Sequence, residues 1–311
     1  MLEKNNKMTD TPVLPNFLII GATKCGTTSL SEYLKQHPDI FISEAKEPRF
    51  LTSQVVKFPL RGIKSHEVEA WYIKNYDDYV DLFKNATQKA IGEASADTIY
   101  YYNDVIPVIK KYLGSPKIVI VLRDPVKRTF SAYQHLVRDE REPLPFEKAL
   151  NEEKNRIADG WDPLYHYTEC SLFHDSVKAY LDNFDDVLVL LNEDLYKNPD
   201  KVFKQIFDFL EVDSTVQIDT EVQYNMSGVP KVKILNRLLS RENSLKTFFR
   251  PLIRAVLPEN ARRKIVYNLS KRNLQKQSID DQSKQRLVQY FKEDVDKLST
   301  LLNKDLSHWL K

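Results

Sequence analysis

Gly21-Ala22-Thr23-Lys24-Cys25-Gly26-Thr27-Thr28-Ser29 gathers in one short stretch the groups that an anion needs. Gly21 and Gly26 permit tight turns, so that successive N–H groups can point into one concavity. Thr27, Thr28 and Ser29 add hydroxyl donors, and a helix predicted to open at Thr27 adds the positive end of its dipole. Lys24 places a cation inside the same loop. The chemistry this spacing supports is phosphate binding. The general nucleotide-triphosphate loop reads Gly-x4-Gly-Lys-Ser/Thr. Here both glycines and Thr28 are kept, but Thr27 stands at the lysine position and the lysine has moved to Lys24. The displacement argues against the usual lysine route to β- and γ-phosphates and against a magnesium site, and no metal is expected.

A second candidate site is Arg123-Asp124-Pro125-Val126-Lys127-Arg128-Thr129-Phe130-Ser131-Ala132-Tyr133. Arg123 follows the most apolar run of the chain, Ile118–Leu122, at the end of a strand where ligands gather in open α/β sheets. Arg128 lies one turn and Ser131 two turns into the next helix. The planar fork of arginine suits phosphate. A ligand with two separated phosphate groups is the natural match for two such junctions.

These loops need elements to hold them. Phe17–Ile20, Lys117–Leu122 and Val187–Leu191 read as buried parallel strands, with Lys89–Gly92 and Asp39–Ile42 as weaker ones. Helices are predicted over Thr27–Gln36, Asp104–Tyr112, from Pro125 towards Arg138, over Ser171–Phe184 and over Pro199–Leu210. The alternation gives an α/β fold, a central parallel sheet flanked by helices, with a C-terminal helical extension. Residues 1–15 read as a flexible leader, 16–230 as the α/β core, and 231–311 as a helical segment packed on it, broken near 273–279. The stretches 52–79 and 142–168 read as long loops or short helices built over the sheet.

With these motifs in place, the chain resembles the sulfotransferases that use 3′-phosphoadenosine 5′-phosphosulfate (PAPS). Lys24-Cys25-Gly26-Thr27-Thr28-Ser29 is similar to their 5′-phosphosulfate loop, and Arg123 to Ser131 to their 3′-phosphate motif. Gly92-Glu93-Ala94-Ser95 and Asn192-Glu193-Asp194-Leu195 are further landmarks. The resemblance covers about residues 16 to 235 and implies the P-loop-like sulfotransferase fold. It implies PAPS as donor and 3′-phosphoadenosine 5′-phosphate (PAP) as product. Residues Lys24 to Ser29, Cys25 included, then hold the 5′ end, and Arg123 and Ser131 the 3′-phosphate. Asn225 to Lys233 resembles the loop that closes over the donor, which would bring Lys231 or Lys233 to the 3′-phosphate.

Sulfuryl transfer by in-line displacement needs charge stabilised on the departing bridge oxygen, a task for which Lys24 is placed. It also needs a base for the acceptor. Glu47, in Lys46-Glu47-Pro48-Arg49-Phe50, matches the glutamate base of glycan-modifying members, with Lys46 or Arg49 to keep it ionised. His166 and His174 are the alternatives, because the small-molecule branch uses histidine. Cys25 reads as a filler and His37 as a helix-terminating residue with Pro38. The heparan-modifying branch has lysine where Ala94 stands, which argues against a heparan-like acceptor. Trp71, Tyr72, Tyr76, Tyr100, Tyr101, Trp161, Tyr165 and Tyr167 are either ring-stacking surface or core.

Net charge is only +2 over 311 residues, which gives no reason to expect nucleic acid as a partner. No apolar run is long enough to span a bilayer, and two cysteines make no disulfide framework. The expected home is the cytoplasm, and the expected acceptor a small molecule or saccharide. Positive charge concentrates in residues 231–272, with twelve Lys or Arg against Glu242 and Glu259. This amphipathic segment reads as a solvated helical cap or as a weak membrane contact. Two other functions stay open at this point: a P-loop kinase or nucleotide triphosphatase, and a non-catalytic anion-binding or membrane-associated module.

Overall fold

A computed structural model describes residues 12–221, 229–230, 274–275 and 277–311. Five strands form one parallel sheet: β1 (Phe17–Gly21), β2 (Ile40–Ile42), β3 (Ala90–Ala94), β4 (Lys117–Leu122) and β5 (Val187–Leu191), in the order β2-β3-β1-β4-β5. β1 and β4 lie in the middle with helices over both faces, and Phe17 to Ile20 and Ile118 to Leu122 are all buried. A strand enclosed on two sides reads as a continuous apolar run, which is why these two were legible. Phe17 aligns with Gly92 of β3 and Lys117 of β4. Any Cβ on Gly92 would lie 2.3 Å from the Phe17 ring, so this close approach requires glycine.

The chain crosses from β3 over β1 to β4, so the strand order reverses at β1. Crevices at such reversals, beyond the carboxyl ends of the strands, are where open α/β sheets bind ligands. Helix Pro125–Arg138 follows β4 with proline in its first turn, and Asp124 caps it by accepting from Val126 N at 3.0 Å and Lys127 N at 3.2 Å. Helix Pro199–Leu210 buries Val202, Phe203, Ile206, Phe207 and Leu210, a stripe at helical spacing.

The two irregular stretches hold short helices, Ser65–Glu69 and Tyr76–Asp81 in the first and Phe146–Asn151 and Glu153–Ala158 in the second. Buried ion pairs staple the second: Arg141 with Asp162 at 2.8 Å and Arg156 with Glu142. Helix Asn192–Lys197 directly after β5 was not anticipated, nor was the two-residue antiparallel pairing of 229–230 with 274–275. Of these residues, 274–275 fall inside the expected break.

At the C-terminal end, helix Asp281–Leu302 packs on the core through Leu287, Phe291, Val295 and Leu298. Its Asp294 accepts from the N–H groups of Phe173 and His174, at 2.9 and 3.0 Å, and so caps helix His174–Asn183 from another element. That helix starts three residues later than the sequence pattern gave, because Glu169–Ser171 forms a 3-10 turn. Lys231, Lys233 and the whole basic segment 231–272 lie outside the described residues. Among the described residues no helix is long and apolar enough to cross a membrane.

Candidate active site

The loop after β1 is fixed from the ends of three other strands, β3, β4 and β5. Thr23 Oγ1 donates to the Ala96 carbonyl beyond β3 at 3.1 Å, and Arg123 Nη1, at the end of β4, donates to the Lys24 carbonyl at 3.2 Å. Asn192 Nδ2, just after β5, donates to the Cys25 carbonyl at 2.7 Å. Gly26 has φ 102°, and a Cβ there would lie 2.6 Å from that same Asn192 Nδ2. Glycine is therefore needed twice over, for the left-handed backbone and for the close approach. No side chain caps helix Thr27–Leu34 at Gly26, which leaves the positive end of the dipole to whatever the loop holds.

Lys24 is half-buried at the centre of this loop, and among the described residues no carboxylate pairs with it. Burial lowers its pKa to about 7, helped by the nearby cations Arg138, Lys46 and Arg123, while Asp139 works the other way. An ammonium held this way gains strongly from an arriving anion. Cys25 is fully buried and its thiol is pushed up to about 11 by that burial, so it stays protonated and fills space.

Ser131 is buried on helix Pro125–Arg138, and Arg123 opens the loop before it. Arg128, which lies between them in the motif, is engaged by the protein itself. It is completely buried, and its Nε donates to the Thr23 carbonyl at 3.0 Å while Nη1 donates to the Tyr167 carbonyl at 3.0 Å. Its fork holds the first phosphate loop to the loop of Tyr167, so it shapes the cradle from behind.

Glu47 occupies a strained turn after β2, with φ 52° at Glu47 and 54° at Arg49. Ser95 Oγ, just past β3, accepts from Arg49 N at 3.0 Å and donates to Glu93 Oε2 at 3.3 Å. Glu93 is buried, and loss of water raises its carboxyl to about 8. Arg49 pairs with Glu47 on one side and lies 3.7 Å from Asp97 on the other. Burial works to raise the pKa of Glu47, but Arg49, Lys46 and Lys24 outweigh it and the carboxyl ends below its ordinary value. Lys24 and Glu47 thus come within electrostatic reach of each other, from the loops after β1 and β2.

Sequence comparison decides the family. The profile of the sulfotransferase domain matches residues 14–250. The chain belongs to the sulfotransferase family. A sulfotransferase from Alicyclobacillus acidocaldarius of known crystal structure superposes with a TM-score of 0.76, at 30% identity, over 96% of this chain and 100% of that one. The membrane-associated sulfotransferase kil1 of Dictyostelium discoideum is 37% identical over 152 residues, which are 46% of this chain and 29% of that protein. Heparan sulfate glucosamine 3-O-sulfotransferase 3A1 of Mus musculus is 26% identical over 223 residues, 71% of this chain and 51% of that protein. The matched stretches thus span only part of these curated relatives.

In this chain the histidine alternatives sit apart from Glu47 in their bonding. His166 is buried with Nδ1 2.9 Å from Tyr100 Oη, and burial lowers its pKa to about 4. His174 lies beside Asp175 at 2.7 Å, on the helix that Asp294 caps. The first helix ends at Leu34, two residues short of the expected Gln36, and His37 lies in the turn beyond it, with Nε2 2.9 Å from the Asp213 carbonyl and Nδ1 accepting from Asp39 N at 3.1 Å. Tyr165 and Tyr167 are core, and Tyr72 is buried with its hydroxyl on Asp97 at 3.0 Å, whereas Trp71 is 55% exposed. Sequence reading missed Asp97, His135 and Arg138 and gave no role to Ser95 or Asn192. For the helix residues a signal existed: Ser131, His135 and Arg138 follow one another at helical spacing on one face.

Proposed function

We propose that this sulfotransferase moves a sulfuryl group from PAPS onto a hydroxyl or amine of a small metabolite or saccharide. The observation that carries the reading is the approach to Lys24 of Arg123 on one side and Glu47 on the other, at the carboxyl ends of β1, β4 and β2. The residues fit this donor. The glycine cradle and uncapped helix end of Gly26 to Ser29 suit its 5′-phosphate. Arg123 and Ser131 suit its 3′-phosphate. Lys24 and Arg123, joined at the loop, supply the positive potential that an anion site requires.

In this reading Glu47 accepts the acceptor's proton as its oxygen or nitrogen bonds to sulfur. Lys24 neutralises the charge that collects on the bridging oxygen as its bond to sulfur breaks, and PAP departs. Arg49 keeps Glu47 ionised and fixed in place. The saccharide option draws support from relatives whose names specify carbohydrate and heparan sulfate acceptors. Ala94, in place of lysine, separates this chain from the heparan branch.

Calorimetric titration with PAP in the absence of magnesium, beside ATP with magnesium, tests the donor. Tight PAP binding that is lost in Arg123→Ala is the expected result. Preference for magnesium-ATP would replace the reading with that of a P-loop kinase.

A further inference from the structure

Helix Asp281–Leu302 ends at Asn303, whose left-handed backbone, φ 49°, turns the chain back, and Lys304 N donates to the Ser299 carbonyl at 3.1 Å. Lys304 Nζ then reaches β5 and donates to the Val189 carbonyl at 3.2 Å. A 3-10 turn, Ser307–Leu310, follows, with Leu306 and Trp309 buried. A buried indole N–H needs an acceptor, and here Trp309 Nε1 donates to Glu193 Oε1 at 2.8 Å. His308 Nε2 lies 2.8 Å from the same oxygen. Burial works to raise the pKa of Glu193, but the bonds from His308 and Trp309 outweigh it and hold the carboxyl below its ordinary value. The carboxylate therefore accepts as an anion, the stronger form of such a bond.

Glu193 is the neighbour of Asn192, and the two open helix Asn192–Lys197 directly after β5. That helix has six residues and no side-chain cap at Leu191, so its own hydrogen bonds hold its start weakly. Asn192 Nδ2 nevertheless donates to the Cys25 carbonyl at 2.7 Å. A Cβ on Gly26 would lie 2.6 Å from that nitrogen and 3.9 Å from Leu195 Cδ1 of the same helix. The donor loop and the helix start are thus in contact with no slack between them. A displacement of the helix start passes directly to the Cys25–Gly26 peptide and the N–H groups that follow it, and binding geometry of this kind tolerates only about 0.5 Å. Resting on the donor reading above, we propose that Trp309 positions the donor loop, anchoring Glu193 so that Asn192 holds the Cys25 carbonyl in place. Trp309 is a positioning residue: it acts through Glu193 and Asn192, not on the donor itself.

The test compares PAP affinity with stability in the full chain, by calorimetry well below the unfolding transition and by thermal unfolding. Trp309→Phe keeps most of the ring and removes the N–H. It is expected to weaken PAP binding about three- to tenfold. Glu193→Ala removes the acceptor instead and should give a loss of similar size. In an Asn192→Ala background neither substitution should weaken binding further by more than about twofold, because both act through that residue, whereas their effects on Tm should persist there. Val295→Ala, about two turns before the end of helix Asp281–Leu302, empties core volume without touching the anchor. It should lower Tm and leave PAP affinity within about twofold. A folded Trp309→Phe protein with wild-type PAP affinity overturns the proposal. So do losses that add in full to that of Asn192→Ala, or an equal loss in Val295→Ala, which would mark a general effect of stability. If Trp309→Phe does not fold, Glu193→Ala decides alone, and unchanged affinity there overturns the proposal. A wild-type chain that does not bind PAP removes the donor reading instead.

Discussion

Arg49 joins the catalytic candidate to the interior: its guanidinium pairs with Glu47 and its Nε lies 3.7 Å from Oδ2 of the buried Asp97. Asp97 is raised by burial and by Glu47, while Arg49 opposes both. Arg49 in turn is held charged by the two carboxylates. The cation cannot be removed without disturbing the base and the core together.

Arg49→Met is therefore expected to act in two ways. Glu47 loses the main cation that depresses its pKa, so the acid limb of kcat/KM moves to higher pH, since the base must be ionised to work. At pH 6 the rate should drop about tenfold. Asp97, left buried without its cation, should cost about 3–5 kcal/mol in denaturant unfolding. Arg49→Lys should restore part of the stability. A pH profile unchanged in Arg49→Met would dissociate Glu47 from proton transfer.

Lys24 gives a proton-linkage prediction. Its pKa of about 7 in the free protein must rise when an anion binds beside it. Between those two values PAP binding takes up a proton, and affinity falls as pH rises through that window. Titrations at pH 7.5 in buffers of different ionisation enthalpy should reveal the uptake, and Lys24→Met should abolish it. The same variant should lower kcat by about 10²–10³.

Arg123 and Arg128 should separate cleanly. Arg123→Ala should weaken PAP binding by about tenfold or more with little change in Tm. Arg128→Ala should lower stability by about 1–3 kcal/mol for each carbonyl it abandons, Thr23 and Tyr167. Thermal unfolding beside PAP titration distinguishes the two outcomes.

Two glycines are tested by adding one methyl group. Gly92→Ala forces a Cβ to 2.3 Å from the Phe17 ring, and overpacking of this kind costs about 1–3 kcal/mol. Gly26→Ala strains a backbone at φ 102° and displaces Asn192 from the Cys25 carbonyl, so PAP affinity should fall together with Tm. A Gly26→Ala protein with unchanged PAP affinity would show that the loop is not the donor cradle.

Ile118 to Leu122, Val187 to Leu191 and Pro199 to Leu210 were legible from the chain alone because burial on two faces, or on one helical stripe, writes itself into local apolar spacing. The loop Gly21 to Ser29 was legible for a similar reason, since turn glycines, hydroxyls and a helix start act within a few bonds of one another. The sequence by itself also put Lys24 in the loop and Arg123 at a strand end. Tertiary structure alone decided that Arg128 faces inward to Thr23 and Tyr167, and that Asn192 and Ala96 pin the loop. It likewise decided that Ser95 and Asp97 support the turn of Glu47 and that Arg138 reaches the neighbourhood of Lys24. Those partners stand tens to more than a hundred residues apart in the chain. They meet because β1 lies between β3 and β4, and strand order arises from long-range packing that no local pattern encodes.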